Sequence, residues 1–176
     1  MKNPVRRALA TIQFLNAEKS LQFVSAYSRS VLTDIMRTAG VPSILITSTA
    51  RTPADQARIM YENIERYGAE HQKLLYSNYG DQVIDEYLKY KSKKHHKQFI
   101  ISMMQAKIIA LDPSKISNHV ADPMKLNVID IAPSSIDPGL RDLFVAAVQG
   151  EKRVAKYIVP PKDPAYHLEI PQLEKS

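Results

Sequence analysis

The 176-residue sequence contains no cysteine. Disulfide scaffolds, thiolate metal sites and cysteine nucleophiles are excluded together, so any metal must be held by histidine and carboxylate. Glycine is scarce, at 5 residues, and with 44% hydrophobic and 24% charged residues the composition is that of a folded protein, neither disordered nor collagen-like. Long apolar runs are missing too. The longest candidate, Phe99 to Leu111, is interrupted by Ser102, Gln105 and Lys107 and falls short of the roughly 18 apolar residues that read as a membrane helix. At the amino end Arg6 and Arg7 precede Ala8 to Leu15, but Thr11 and Gln13 break that stretch and no clean small-residue cleavage site follows. No signal peptide and no membrane partner are expected, and synthesis in the cytoplasm is.

What is present suits one domain over residues 1–176. Lys and Arg number 24 against 18 Asp and Glu, a net +6 that favours anionic partners without choosing among nucleic acid, acidic lipid and an anionic cell wall. Apolar residues recur at helical spacing between Glu18 and Ala39 (Leu21, Val24, Val31, Leu32, Ile35, Met36), with Gly40 as the stop. Ser43 to Ser48 reads as a buried strand. Thr52 offers an N-cap, Pro53 suits the first helical position and Asp55 the first turn, predicting a helix from Pro53 to about Tyr67. Two or three helices follow up to Leu111, and Pro113 to Lys125 reads as loop. Strands are predicted at Leu126 to Ile131, Arg153 to Val159 and Tyr166 to Ile170, and a helix from Pro138 to Gln149, stopped by Gly150. The predicted class is α+β, a small, mostly antiparallel sheet with helices packed around it and an enlarged helical insertion over 61–112.

Chemistry concentrates late in the chain. Asp130 lies between isoleucines in a predicted strand, where an uncompensated charge is costly. His119 closes a loop, and His167 stands in the last strand two residues before Glu169, on the same face by alternation. Two imidazoles and a carboxylate make a three-ligand set that suits catalytic zinc, with Glu169 placed to orient a ligand or touch its water. On spacing alone, surface or hydrogen-bonded core groups explain these residues as well.

The segment Asp112 to His119, with its Ser117-Asn118-His119, followed by Val128-Ile129-Asp130-Ile131-Ala132-Pro133, resembles the Ser-x-His … Ala-x-Asp motif of the zinc D,D-carboxypeptidase and L-alanyl-D-glutamate endopeptidase family, which includes phage endolysins. Tyr166-His167-Leu168-Glu169 is similar to its second histidine motif, and Thr47 to Thr52 to its early Ser-x-x-Arg segment. The resemblance implies that His119, Asp130 and His167 bind zinc, and that Arg51 and Ser117 contact a peptidoglycan stem-peptide substrate, Arg51 forking onto a carboxylate or carbonyl. It also implies phage-type release or carriage in a virion as a setting.

Two features depart from the family. Its histidine and aspartate ligands stand closer together than His119 and Asp130, which have Val120 to Ile129 between them. The loop 121–125 reads as an insertion, which is cheap in a surface loop and makes Asp122 a rival ligand. Pro164 occupies the place of the family's general base, leaving Asp163 or Glu169 to move the proton. If neither reaches, the fold serves as a wall-binding or virion structural module. In the helical middle, Lys89, Lys91, Lys93, Lys94 and Lys97 interleave with tyrosines and with His95 and His96. This pattern reads as a solvated helix end with Tyr87 packed beside Val83 and Ile84; no nucleic-acid partner is expected from it.

Overall fold

The computed structural model describes residues 10–16 and 23–173. In chain order the elements are β1 (Thr11–Phe14), α1 (Ala26–Ala39), β2 (Ser43–Ser48), α2 (Pro53–Tyr67), α3 (Ala69–Lys73), α4 (Asn78–Ser92), α5 (Lys97–Ala110) and α6 (Pro113–Ile116). They continue as β3 (Leu126–Ile131), α7 (Arg141–Gly150), β4 (Lys156–Ile158) and β5 (Tyr166–Pro171). The class is α+β, with a five-stranded mixed sheet. None of the described helices is long and apolar enough to cross a membrane. The chain divides into two compact units, one from the residues up to Ala50 and from Asp122 onward, the other from Arg51–Ala121.

The first unit holds the sheet, in the order β1-β2-β3-β5-β4, with β1 parallel to β2 and every other pair antiparallel. Strand alternation sorts its side chains. Ile129 and Ile131 of β3, with Leu168 and Ile170 of β5, join Ile44 and Ile46 under Leu32, Ile35 and Met36 of α1 and Phe144 and Val148 of α7. The intervening residues Asp130, His167 and Glu169 share the opposite face. Asn127, buried at the start of β3, ties the core to α1: its Oδ1 accepts from Ser25 N–H at 2.8 Å, and Ser25 Oγ accepts from Ser28 N–H at 2.9 Å as the N-cap. That cap starts α1 at Ala26, later than the periodicity predicts; Leu21 lies outside the described residues. Gly40 ends α1 at φ +70°, the left-handed conformation that a β-carbon disfavours.

Three further differences have local causes. The span expected to be loop contains α6, because Asp112 Oδ1 accepts from Ser114 N–H at 3.2 Å and from its hydroxyl at 2.8 Å, capping a turn that Pro113 begins. The helix expected from Pro138 opens as a 3-10 turn, in which Asp137 Oδ1 accepts from Gly139 N–H at 2.8 Å, and α7 runs through Gly150. The strand expected from Arg153 shrinks to Lys156–Ile158, since Arg153 is bound to Glu151 at 2.6 Å and Asp34 at 2.9 Å.

The second unit is helical. Met60 and Ile64 of α2, Val83, Ile84 and Tyr87 of α4, and Ile100, Met104 and Ile108 of α5 form its core with Ile116 of α6. Thr52 caps α2, with Asp55 N–H donating to its hydroxyl oxygen at 3.1 Å. Tyr76 lies over Gly80 so closely that a β-carbon there would stand 2.5 Å from Tyr76 Cβ.

Two substitutions test this packing. Phe144→Ala should cost about 3–5 kcal/mol of stability by urea unfolding, because it empties a fully buried site. Gly80→Ala, which helix propensity alone would make stabilising by roughly 1 kcal/mol, should destabilise instead, since the Tyr76 ring must move.

Candidate metal centre

Antiparallel pairing sets Asp130 opposite His167 and Val128 opposite Glu169. Asp130 Oδ1 lies 2.9 Å from His167 Nδ1, and Glu169 Oε1 lies 3.1 Å from His167 Nε2, so one imidazole is bracketed by two carboxylates. His167 is 8% exposed and Glu169 6%. Burial alone would lower the His167 pKa; the hydrogen bonds to Asp130 and Glu169 outweigh it and hold the pKa above the ordinary histidine value. Glu169 Oε1 also lies 3.2 Å from Lys156 Nζ, contributed by the edge strand β4. On the other side of β3, the pairing with β2 shifts register between Ile46 and Ser48, and the Thr47 hydroxyl donates to Asp130 O at 3.3 Å. Such an irregularity re-aims side chains locally and is common beside functional sites.

His119 sits in a 3-10 turn over 118–120 and is 6% exposed. Ser117 Oγ accepts from His119 N–H at 3.3 Å, so the hydroxyl assigned by resemblance to the substrate caps the turn that carries the histidine. His119 O accepts from Arg51 N–H at 2.7 Å, and Arg51 Nη1 donates to Gln56 Oε1 at 3.2 Å. Gln56 is fully buried and its Nε2 donates to the Tyr76 hydroxyl at 3.4 Å. Desolvation raises the Tyr76 pKa, against the opposing charge of Arg51 and the Gln56 hydrogen bond.

Asp130 and His167 bring a carboxylate oxygen and an imidazole nitrogen together in the sheet unit, and with His119 they make up a group that could hold a metal ion. Two imidazole nitrogens and one carboxylate oxygen suit a borderline divalent ion. Ligands bound at about 2.0–2.1 Å in a tetrahedral shell stand about 3.3 Å apart, and the 2.9 Å between Asp130 Oδ1 and His167 Nδ1 is close to such an edge. Were Nδ1 to ligate an ion, Nε2–H would donate to Glu169 across the 3.1 Å contact, the carboxylate–histidine pairing that fixes tautomer and ring angle.

Of the other candidates, Asp122 stands outside this group; its Oδ1 accepts from Met124 N–H at 2.9 Å and builds the turn before β3. Asp163 Oδ1 accepts from Ala165 N–H at 2.9 Å inside its own loop, beside the exposed Pro164. Residues that the motifs passed over are Lys156, Gln56 and Tyr76. Alternation in a short strand hints at Lys156 only once its register against Glu169 is known. In the helical unit, Lys91 pairs with Glu65 at 2.6 Å, Lys89 with Glu86 at 3.3 Å and Lys97 with Glu62 at 3.7 Å. His95 stacks on Phe99 with ring centres 4.3 Å apart, and Tyr90 meets Phe99 edge-on.

Because an ion that binds only the folded state stabilises it by about 2.7 kcal/mol at a hundredfold excess over Kd, titration with Zn2+ or Co2+ should raise the melting temperature. The rise should vanish in His167→Ala and Asp130→Ala; a rise that survives both places the ion elsewhere. No protein-family model, curated protein or solved structure matches this chain, and what the centre does rests on its own residues.

Proposed function

We propose that this chain is a zinc-dependent peptidase that hydrolyses peptidoglycan stem peptides. One observation carries the reading. Asp130 and His167, drawn from separate motifs for their likeness to a family, face each other at 2.9 Å across the β3–β5 ladder. His119, Asp130 and His167 hold the ion, which when bound polarises a carbonyl and makes water acidic enough to attack near neutral pH.

The chain's own groups divide the remaining work. Arg51 presents a planar fork to a substrate carboxylate, with one arm steadied by Gln56 at 3.2 Å. Glu169, engaged by both Lys156 and His167 through Oε1, orients the ring and is poorly placed to shuttle a proton. That leaves Asp163 as the base: its carboxylate takes a proton from the attacking water and delivers it to the leaving amine nitrogen. Within its loop the carboxylate accepts one backbone N–H, from Ala165, at Oδ1.

A second reading rests on Pro164, which stands where the resemblance puts the base. In it the chain binds the wall without cutting it. Zinc-loaded protein incubated with purified stem peptides should release new amine termini, and both a chelator and His167→Ala should abolish the release. Binding without cleavage favours the second reading; neither binding nor cleavage removes both. Asp163→Ala should keep its zinc and lose roughly 100-fold in turnover, the scale of general acid–base help. Glu169→Ala should instead weaken zinc by about 10-fold. The reverse order would make Glu169 the base.

A further inference from the structure

Glu169 is a buried carboxylate on a strand whose neighbours face an apolar core, and such a group persists only where its charge is matched. Its Oε1 carries two contacts, to His167 Nε2 at 3.1 Å and to Lys156 Nζ at 3.2 Å. Lys156 is directly opposite Glu169 in the β4–β5 ladder, and Ala155 N–H donates to Glu169 O at 2.9 Å, so backbone pairing delivers the ammonium to this carboxylate. The pair is asymmetric. The lysine side chain is 53% exposed, while the glutamate side chain is 8% exposed.

We infer that Lys156 is a positioning residue of the metal centre, holding Glu169 against His167 Nε2 so that Nδ1 is presented beside Asp130. The inference rests on the metal-binding reading above. Without Lys156, the Glu169 carboxylate has three side-chain torsions by which to leave Nε2, and the ring loses the contact that sets its angle. Groups that orient a ligand in this way typically matter by 10–100-fold in metal affinity. The sign makes the idea testable. Removing a cation near a divalent ion would by Coulomb's law alone tighten binding, although solvent screening keeps that effect small for a side chain so exposed. Loss of positioning does the opposite.

The experiment is Zn2+ affinity by competition with a chromophoric chelator, on the full chain. The set is wild type, Lys156→Met, Lys156→Arg, Glu169→Gln and the double variant Lys156→Met with Glu169→Gln. Lys156→Met should bind about 10-fold more weakly, and Lys156→Arg, which keeps the cation and its reach, should recover most of the loss. The double variant should be no weaker than the weaker single, because both act through one contact. Equal or tighter binding by Lys156→Met overturns the inference, as do losses that multiply in the double variant or a failure of Lys156→Arg to recover affinity. Should Lys156→Met not fold, Lys156→Gln takes its place under the same criteria. A wild type that binds no zinc defeats the metal reading and this inference together; a wild type that binds zinc no more tightly than Lys156→Met defeats this inference alone.

Discussion

The antiparallel register of β3 against β5 is the constraint on which the rest depends. Placing Asp130 opposite His167 also places Ile129 opposite Leu168 and Ile131 opposite Tyr166. Because side chains alternate, a slip of one residue would turn the isoleucines toward the polar face and the aspartate into the core. The apolar face, closed by Phe144 and the α1 aliphatics, therefore enforces the register that brings an acid and an imidazole to 2.9 Å. Core packing and ligand geometry are selected by one alignment. Strong apolar alternation on one side lets an otherwise costly pair of polar groups be held rigidly on the other, where pre-organisation matters most.

The lysines of α4 and α5 illustrate a different economy of charge. In sequence they form a basic run, yet helices α2 and α4 bring Glu62, Glu65 and Glu86 to Lys97, Lys91 and Lys89. The Glu65 carboxyl sits below its usual range because Lys91 and the Tyr87 hydroxyl both donate to it. Burial and that same glutamate push the Tyr87 phenol up to about 12. Much of the charge of this basic run is thus spent on internal partners, and such exposed pairs add little individually to stability. Local sequence shows the charges of one helix and cannot show those of the helix packed against it.

Legibility followed the range of the interactions. Helix α2 was readable to the residue because Thr52, Pro53 and Asp55 specify its start locally, and β2 and β3 because an apolar run bounded by turns admits little else. The late start of α1 was not, since it depends on Asn127 accepting from Ser25 N–H, a bond spanning 102 residues of sequence. Nor was the truncation of β4, which follows from Arg153 reaching Asp34 across 119 residues. At the candidate centre, His119, Asp130, His167 and Glu169 were singled out by residue type and position, and the first three were grouped as a ligand set by the resemblance of their motifs to a family. Lys156 and Gln56 were not, because each gains meaning only from a partner fixed by register or by a buried hydrogen bond.

Three carboxylates near the end of the chain have the same chemistry and different surroundings, and the surroundings suit them to different roles in the proposed peptidase. Asp130 is half-buried on a central strand and faces an imidazole nitrogen at a distance that suits a shared ion. Glu169 is more deeply buried, and its Oε1 is matched by an ammonium and by the far nitrogen of the same ring, which suits it to orient that ring. Asp163 sits in a loop, half-buried, where a single backbone donor leaves its carboxylate the most adaptable of the three. Under the proposed function, rigid strands suit ligands, which must be held within fractions of an ångström, and a loop suits a proton carrier, which would turn between an attacking and a leaving group. The departure at Pro164 then has a physical reading. Proline fixes its own backbone angle and disfavours the helical region for the residue before it, so the backbone of Asp163 is biased while its side-chain torsions stay available to turn the carboxylate.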